Sequence, residues 1–418
     1  MGKLKIASLF CGCGGTDVGL LGGFEFLGKF YAKNDVEIVY ANDIDDSACK
    51  LFELNFNLIP DSRDIREIDS VELPDFDILT GGFPCQSFSI IAQNPKRLGV
   101  KDERGKLFFE MCRILKEKQP KCFIAENVKG ILSANKGSAF PLILEEFENS
   151  GYNVSYKLLN SADFGVPQKR ERVIIIGFRN DLNIDFEFPD EVITSEENYI
   201  PLSEVITDVA PQKYFFSEKA VQGMLRRRES MNKGRAQDIT KPCNTVGAHL
   251  AKVSLNSTDP VLLENGRYRR FTPREVARIQ SFPEEFILEG SETSQYKALG
   301  NAIPPVMLWH VAKEVIQELE NIEEREPRKQ IKRRVLPRID ALINYGLVEV
   351  GDVVIPKGRN DKGILLENGK VLVKGYESTI HTWLKEVYEK PSIDTYNHIV
   401  HIKSGKTLYQ IREEYVNS

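Results

Sequence analysis

Five short runs rich in aliphatic and β-branched residues, set between amphipathic stretches, constrain the first 180 residues more than any other feature. The runs are IASLF (6–10), VEIVYAN (36–42), FDILTGG (76–82), KCFIAEN (121–127) and RVIIIGF (172–178). Between them DDSACKLFELNF (45–56), KLFFEMCRILKE (106–117) and SAFPLILEEFENSG (138–151) place apolar residues at helical spacing, and Gly151 suits a helix C-cap. Strands alternating with helices imply an α/β chain with a mostly parallel sheet covered on both faces. Such sheets bind ligands beyond the carboxyl ends of their strands. The residues closing each run are therefore where chemistry is to be sought.

The chain has 418 residues, enough for two or three domains. Its 56 Lys and Arg against 61 Asp and Glu give a net charge of −5. That excludes a globally basic coat for nucleic acid but leaves room for a local basic cleft. No apolar run reaches the roughly 18–20 residues of a membrane span, so no membrane partner is expected. The start, MGKLKIASLF, passes directly into a strand-like run without a secretory core, which predicts a cytoplasmic protein. Seven cysteines without a C-x-x-C, and five histidines none of which precedes residue 249, predict reduced thiols and no metal site.

Residues 189–265 lose the alternating rhythm and hold a basic knot, LRRRES (225–230), which reads as a separate, less regular lobe. Helices return at TPREVARIQS (272–281), with Thr272 as N-cap and Pro273 first in the helix, and at 306–320. The run REPRKQIKRRVLPR (325–338) carries seven Lys and Arg and reads either as a solvated linker or as a phosphate-contacting segment. The tail beyond it is strand-rich, with turn signals at Asn368-Gly369 and Ser404-Gly405. The resulting division is a domain over 1–188 completed by 290–324, a lobe over 189–289, a basic linker over 325–338, and a C-terminal α+β domain over 339–418.

Five constellations carry chemistry. In SLFCGCGGTDVG (8–19) a strand gives way to Gly12, Gly14 and Gly15 ahead of a helix, either a plain turn or a ligand-cradling one. The next strand closes on Asn42-Asp43-Ile44, where an acid can hold a ribose diol and Ile44 can lie on an adenine face; Asp64-Ile65 offers a third strand tip, with Asp64 accepting from an exocyclic amine. Neither the G-x-G-x-x-G spacing nor an anion-binding lysine is present in the glycine turn, so adenosine without a pyrophosphate fits better than a dinucleotide. In GGFPCQSFS (81–89) Cys85 sits in a loop, and the polar segment 86–105 after it suits a lid. Glu126, in Ala125-Glu126-Asn127-Val128, is either a general acid or a salt-bridged carboxylate. In PQKRERVIIIGF (167–178) Gln168, Arg170 and Arg172 alternate and so share one face, and Leu299-Gly300-Asn301-Ala302-Ile303-Pro304-Pro305 is a turn feeding the 306–320 helix.

Taken in order, GGFPCQSFS, ENV, QKRER, RRFTPREVARIQSFP and YKALGNAIPP resemble the cytosine-C5 DNA methyltransferase family of bacterial restriction–modification systems, over about residues 4–320. The resemblance implies a Rossmann-like domain binding S-adenosyl-L-methionine, with a smaller, irregular target-recognition domain at 189–289. Cys85 would be the nucleophile, supported by Gln86, Glu126, Arg170 and Arg172, with Glu126 on cytosine N3 and the exocyclic amine and Arg172 on O2. Phe10, Gly12, Cys13, Gly14, Gly15, Asp43, Ile44, Asp64, Ile65, Pro84, Leu107, Asn301 and Ala302 would line the cofactor. Double-stranded DNA would meet Ser87, Gln168, Arg226, Arg227, Arg228, Thr245, Arg269 and Arg270, and Arg274 is a further basic residue for the cleft. Thr245-Val246 resembles the family's Thr-Leu/Val signature.

This sequence departs from the family in three places. Ser8 stands where an Asp usually opens the first motif. Asp43 replaces a Glu, and Ile44 an aromatic. The tail resembles a small domain fused to some such methyltransferases; a dimerisation or stability module reads equally well.

The implied reaction explains the residue types. Cytosine C5 is a poor nucleophile until a thiolate adds at C6, an acid at N3 stabilises the developing charge, and a base buried in a duplex must first be flipped out. The expected protein is monomeric on DNA, associates with the nucleoid, and protects host DNA from a cognate restriction endonuclease to which it is linked functionally. The competing readings are a tRNA cytosine-C5 methyltransferase, a catalytically inactive sequence-specific DNA-binding protein, and a nicotinamide oxidoreductase.

Overall fold

The computed structural model describes residues 2–84, 106–206, 210–225, 236–252, 260–322, 339–388 and 395–417. Its main sheet has six strands: β1 (Leu4–Leu9), β2 (Val36–Asn42), β3 (Ile78–Gly81), β4 (Cys122–Val128), β5 (Tyr152–Asn160) and β6 (Glu171–Arg179), in spatial order β2-β1-β3-β4-β6-β5. β2, β1, β3 and β4 run parallel, whereas β6 is antiparallel to both of its neighbours. The expected parallel sheet thus turns mixed at β6.

Two-residue periodicity divides the apolar strand residues between two faces. Ala7, Leu79, Phe123 and Ile175 pack under α3 (Lys106–Lys118) and α4 (Ala139–Asn149) through Phe108, Leu115, Phe140 and Phe147. Ile6, Ile78, Ile124 and Ile176 face the other way, onto Met307, Val311 and Val315 of α7 (Pro305–Glu320). A segment from the far end of the unit therefore closes the sheet beside β1. Both faces are buried, which is why the strands read as nearly continuous apolar runs. The exception is β5, an edge strand whose residues are mostly half-buried.

Further helices of this unit are α1 (Gly15–Leu21), α2 (Asp46–Phe56), α5 (Pro273–Ile279) and α6 (Glu292–Asn301), with a short helix at Glu218–Leu225 in the irregular lobe. Asp45 caps α2 by accepting from the backbone N–H of Ser47 and Ala48. Thr272 and Glu275 form a reciprocal capping box at α5, with Pro273 in its first turn.

The irregular lobe is not an independent body. Its Leu202, Val205, Cys243, Val246, Leu262 and Phe271 share one core with Cys13, Val18, Phe24 and Leu51 from the start of the chain. The chain divides instead at the basic run, into Met1–Arg328 and Lys329–Ser418. The second unit holds a six-stranded antiparallel sheet with helices Ile339–Asn344, Ile380–Tyr388 and Leu408–Asn417, built on Val354, Leu365, Trp383 and Ile399. Among the described residues no helix is long and apolar enough to cross a membrane.

Candidate active site

The carboxyl ends of β1, β2, β3 and β4 open into one cleft of about 440 Å³. Phe10, just past the end of β1, is held at φ 53, a left-handed conformation that an aromatic residue adopts only under constraint. The turn then passes through Gly14, at φ 90, to start α1. A side chain at Gly14 would be strained there, and its Cβ would fall 2.1 Å from the Phe56 ring. Around Gly14, the turn residues Gly12, Cys13 and Gly15 line the cleft.

Asp43, at the tip of β2, braces the turn. Its Oδ2 accepts from the Gly12 N–H at 2.8 Å and its Oδ1 from the Asp45 N–H at 2.9 Å. Each oxygen keeps a lone pair for a further donor. Burial raises its carboxyl above the usual range, against the lowering effect of those two bonds. Ile44 beside it is 69% exposed, an uncovered aliphatic face on the cleft wall. Asp64 also lines the cleft, but both its oxygens already accept from the Arg66 guanidinium, at 2.9 and 2.5 Å, and these bonds hold its carboxyl low. Its Oδ2, with that one bond, keeps a lone pair as the oxygens of Asp43 do, so an exocyclic amine can still be held there.

Phe10, Gly12, Cys13, Gly15, Asp43, Ile44, Asp64, Ile65, Pro84, Leu107, Asn301 and Ala302 all line this space; Gly14 alone of the expected cofactor set does not. Arg63 and Lys297 join them. Arg63 is engaged by Asp61 and Glu72, and Lys297 by Asp45.

Beneath the turn lies a group that sequence reasoning missed. Asp17 of α1 is fully buried; its Oδ2 accepts from the Ser8 hydroxyl at 3.1 Å, and Thr80 donates to Ser8 at 3.2 Å. Its Oδ1 has no partner among the described residues. Burial pushes its carboxyl up to about 7. A carboxylate from the helix thus sits against Ser8 at the end of β1. The available signal was an aspartate inside the otherwise apolar helix GTDVGLL.

At the other end of the cleft Glu126 meets Arg172, Oε1 to Nε, at 2.7 Å, and both side chains are partly exposed. Next to Glu126, buried Asn127 donates through Nδ2 to the Phe83 carbonyl at 2.9 Å, fixing the backbone two residues before Cys85. Asn127 is a positioning contact that its place beside Glu126 hides in the sequence.

Cys85, Gln86, Ser87, the 86–105 segment and Arg226, Arg227 and Arg228 lie outside the described residues. The other six cysteines are all buried. Burial pushes each thiol up, Cys13, Cys49 and Cys112 to about 12, so none is a ready thiolate. No described histidine lines the cleft, and among the described residues no cluster of His, Cys, Asp and Glu is placed to hold a metal.

Three expectations need correction. Gln168 is fully buried, donating to Gln280 at 2.7 Å and accepting from the Val246 N–H at 2.8 Å, so it cannot reach DNA. Arg170 is buried as well and donates to the carbonyls of Val246, Gly300 and Ala302, away from a reacting base. Burial, and then neighbouring Arg172, push its guanidinium down to about 9. Arg269 is buried against Glu275 and Glu264, a strut inside the lobe. Arg274 stays partly exposed, with its guanidinium on the Phe286 carbonyl at 2.7 Å. Of the alternating trio only Arg172 reaches the cleft end. Thr245 stays exposed, its hydroxyl on the Lys169 carbonyl at 2.8 Å, and Arg270 is partly exposed over Tyr214.

Comparison with known proteins agrees with this geometry. A family described as C-5 cytosine-specific DNA methylase matches residues 4–317. The Type II methyltransferase M1.ScrFI of Lactococcus lactis subsp. cremoris is 38% identical over 330 residues, covering 76% of this chain and 79% of its own. The Type II methyltransferase M.FnuDI of Fusobacterium nucleatum is 37% identical, covering 80% of this chain and 99% of its own. Among solved structures, the Dnmt2 methyltransferase of S. pombe superposes with a TM-score of 0.60 at 21% identity, over 77% of this chain and 99% of its own, which shows a shared fold.

Proposed function

The chain belongs to the C-5 cytosine-specific DNA methylase family, and from that premise we propose that it is the modification enzyme of a restriction–modification pair, methylating one cytosine in a short duplex sequence. The observation that carries the reading is the single cleft that brings the adenosine-type wall of Phe10, Asp43 and Ile44 to the same space as Glu126 and its partner Arg172. The matching family is described by DNA as its substrate, which favours DNA over tRNA.

The cleft fits S-adenosylmethionine. It offers a carboxylate with lone pairs to spare for a diol, an uncovered aliphatic face for a purine, and cations already paired with carboxylates instead of a diphosphate cradle. When bound, that cofactor supplies an electrophilic methyl group.

This chain's residues prepare the cytosine to accept it. The Cys85 thiolate adds to C6, the C5–C6 π pair shifts to C4–C5 and the C4–N3 π pair onto N3, to which the Glu126 carboxyl donates. Arg172, paired with Glu126, would hold the base's O2. C5 then forms its bond to the methyl carbon as that carbon's bond to the donor sulfur breaks, leaving a thioether; a base removes the C5 proton, and the C6–S bond breaks to return the Cys85 thiolate. Extruding the cytosine costs a few kcal/mol, which contacts from the 86–105 segment would offset while excluding water. Sequence is read by the lobe at 189–289, with Thr245 and Arg270 on its exposed side and the Arg226-Arg227-Arg228 cluster on phosphates. The enzyme acts as a monomer in the cytoplasm, on nucleoid DNA, and its link to a nuclease is functional.

Bisulfite sequencing of a plasmid recovered from cells expressing the chain tests this reading. Protection of cytosine in one short motif is the expected result. Unmodified plasmid DNA together with newly methylated tRNA would replace the reading with the RNA alternative.

A further inference from the structure

Arg170 holds three carbonyl groups with one guanidinium. Nη1 donates to Val246 O at 3.0 Å, and Nη2 to Gly300 O at 2.9 Å and Ala302 O at 2.8 Å. Val246 belongs to the recognition lobe, in the loop beginning at exposed Thr245, whereas Ala302 and neighbouring Asn301 line the cofactor cleft. Two glutamines extend the junction. Gln168 accepts from the Val246 N–H and donates to Gln280, which donates in turn to Leu299 O at 2.6 Å and Ala302 O at 3.2 Å.

The same two segments touch directly. A Cβ on Gly300 would lie 2.3 Å from the Gly247 carbonyl carbon and 2.4 Å from the Ala248 nitrogen, all backbone atoms that cannot step aside. No carboxylate pairs with Arg170 among the described residues, and its Nε has no acceptor there. A buried cation without a counter-ion is strongly penalised unless its hydrogen bonds are kept. If either loop moves out of hydrogen-bond reach, the guanidinium is left short of partners. The carbonyls on its two sides are therefore held in place together or not at all.

We propose that Arg170 is a positioning residue that couples the recognition lobe to the cofactor cleft, so that DNA and the adenosyl cofactor raise each other's affinity through its shared guanidinium. Coupling of this kind is reciprocal, and each ligand lowers the cost of ordering the segment the other needs. The inference rests on the reading of the cleft and lobe given above.

The test is calorimetric titration with S-adenosylhomocysteine, unreactive toward cytosine, with and without a saturating duplex carrying the motif found by bisulfite mapping. In the wild type the duplex tightens S-adenosylhomocysteine binding about five-fold or more, the lower end of ordinary coupling. Arg170→Lys keeps the charge but cannot span three acceptors, and brings the ratio to about one while each binary complex still forms. Hydrogen exchange on the wild-type chain supplies an arm that needs no variant. S-adenosylhomocysteine should slow exchange across 243–250, and the duplex across 298–304. A wild-type ratio near one, an unchanged ratio in Arg170→Lys, or protection confined to each ligand's own side overturns the proposal. A wild type that binds no S-adenosylhomocysteine overturns the cleft reading itself, and the coupling with it.

Discussion

At the residue scale, the side chains that matter are those whose neighbours leave them something to do. Glu126 has a partner in Arg172 but is still partly exposed in the cleft. Glu126→Gln keeps a hydrogen bond to Arg172 while removing the acid, so kcat should fall about 10²-fold with DNA affinity little changed. A variant that turns over like wild type would make Glu126 a purely structural carboxylate. Asp17 gives a prediction of a different kind. Its carboxyl is raised to about 7 by burial, so the folded state holds that proton more tightly than the unfolded chain does. Its contribution to stability is greatest below about pH 4 and is lost as pH rises to about 7. Asp17→Asn should therefore shift the thermal midpoint more favourably at pH 8 than at pH 5, whatever the sign at either pH. Equal shifts would mean that Asp17 does not titrate in this interval. The sequence could show Asp43, Ile44 and Glu126 because each closes a strand. It could not show that Gln168 and Arg170 point inward, since alternation tells which residues share a face and not what that face meets.

At the scale of elements, strands buried on both faces were the most legible, because β3, β4 and β6 carry nearly unbroken apolar runs. β5 went unread. At the sheet edge its YNVSYKLLN interleaves Asn153, Ser155 and Lys157 with Val154, Tyr156 and Leu158, a period-two pattern too polar to stand out. Helix α6 was also missed, because Gly300-Asn301-Ala302 suggests a turn where α6 in fact continues to Asn301. The capping box of α5 was half visible. Thr272 and Pro273 announced it, but Glu275 also receives Arg269 through two 2.9 Å bonds, tying the helix start to the Arg267–Arg269 strand. Thr272→Ala should lower stability by about 1 kcal/mol in denaturant unfolding, the usual cost of a lost cap. A loss well beyond that would mean the cap also orders the Arg269 strut.

For the whole molecule, the division at Arg328 separates a unit containing the entire cleft from a C-terminal unit with its own core. Deleting residues 339–418 should leave the methylated motif and kcat largely unchanged. Loss of activity with intact circular dichroism would show that the second unit completes the DNA clamp. The irregular lobe was legible as a break in rhythm but not as part of the first unit's core, because Cys13, Val18 and Leu51 meet Val246 and Phe271 only after the chain has folded back. The account as a whole depends on Cys85 as the attacking group, the only cysteine not already accounted for among the buried thiols. The most direct measurement replaces the target cytosine of the mapped motif with 5-fluorocytosine, whose C5 substituent cannot leave as a proton, so that the C6–S bond persists after methyl transfer. Intact-mass and peptide analysis of the reaction with S-adenosylmethionine should find one DNA strand, carrying the added methyl group, attached through Cys85. An adduct on another residue, or methylation of ordinary cytosine with no adduct on the fluorinated duplex, would contradict the account.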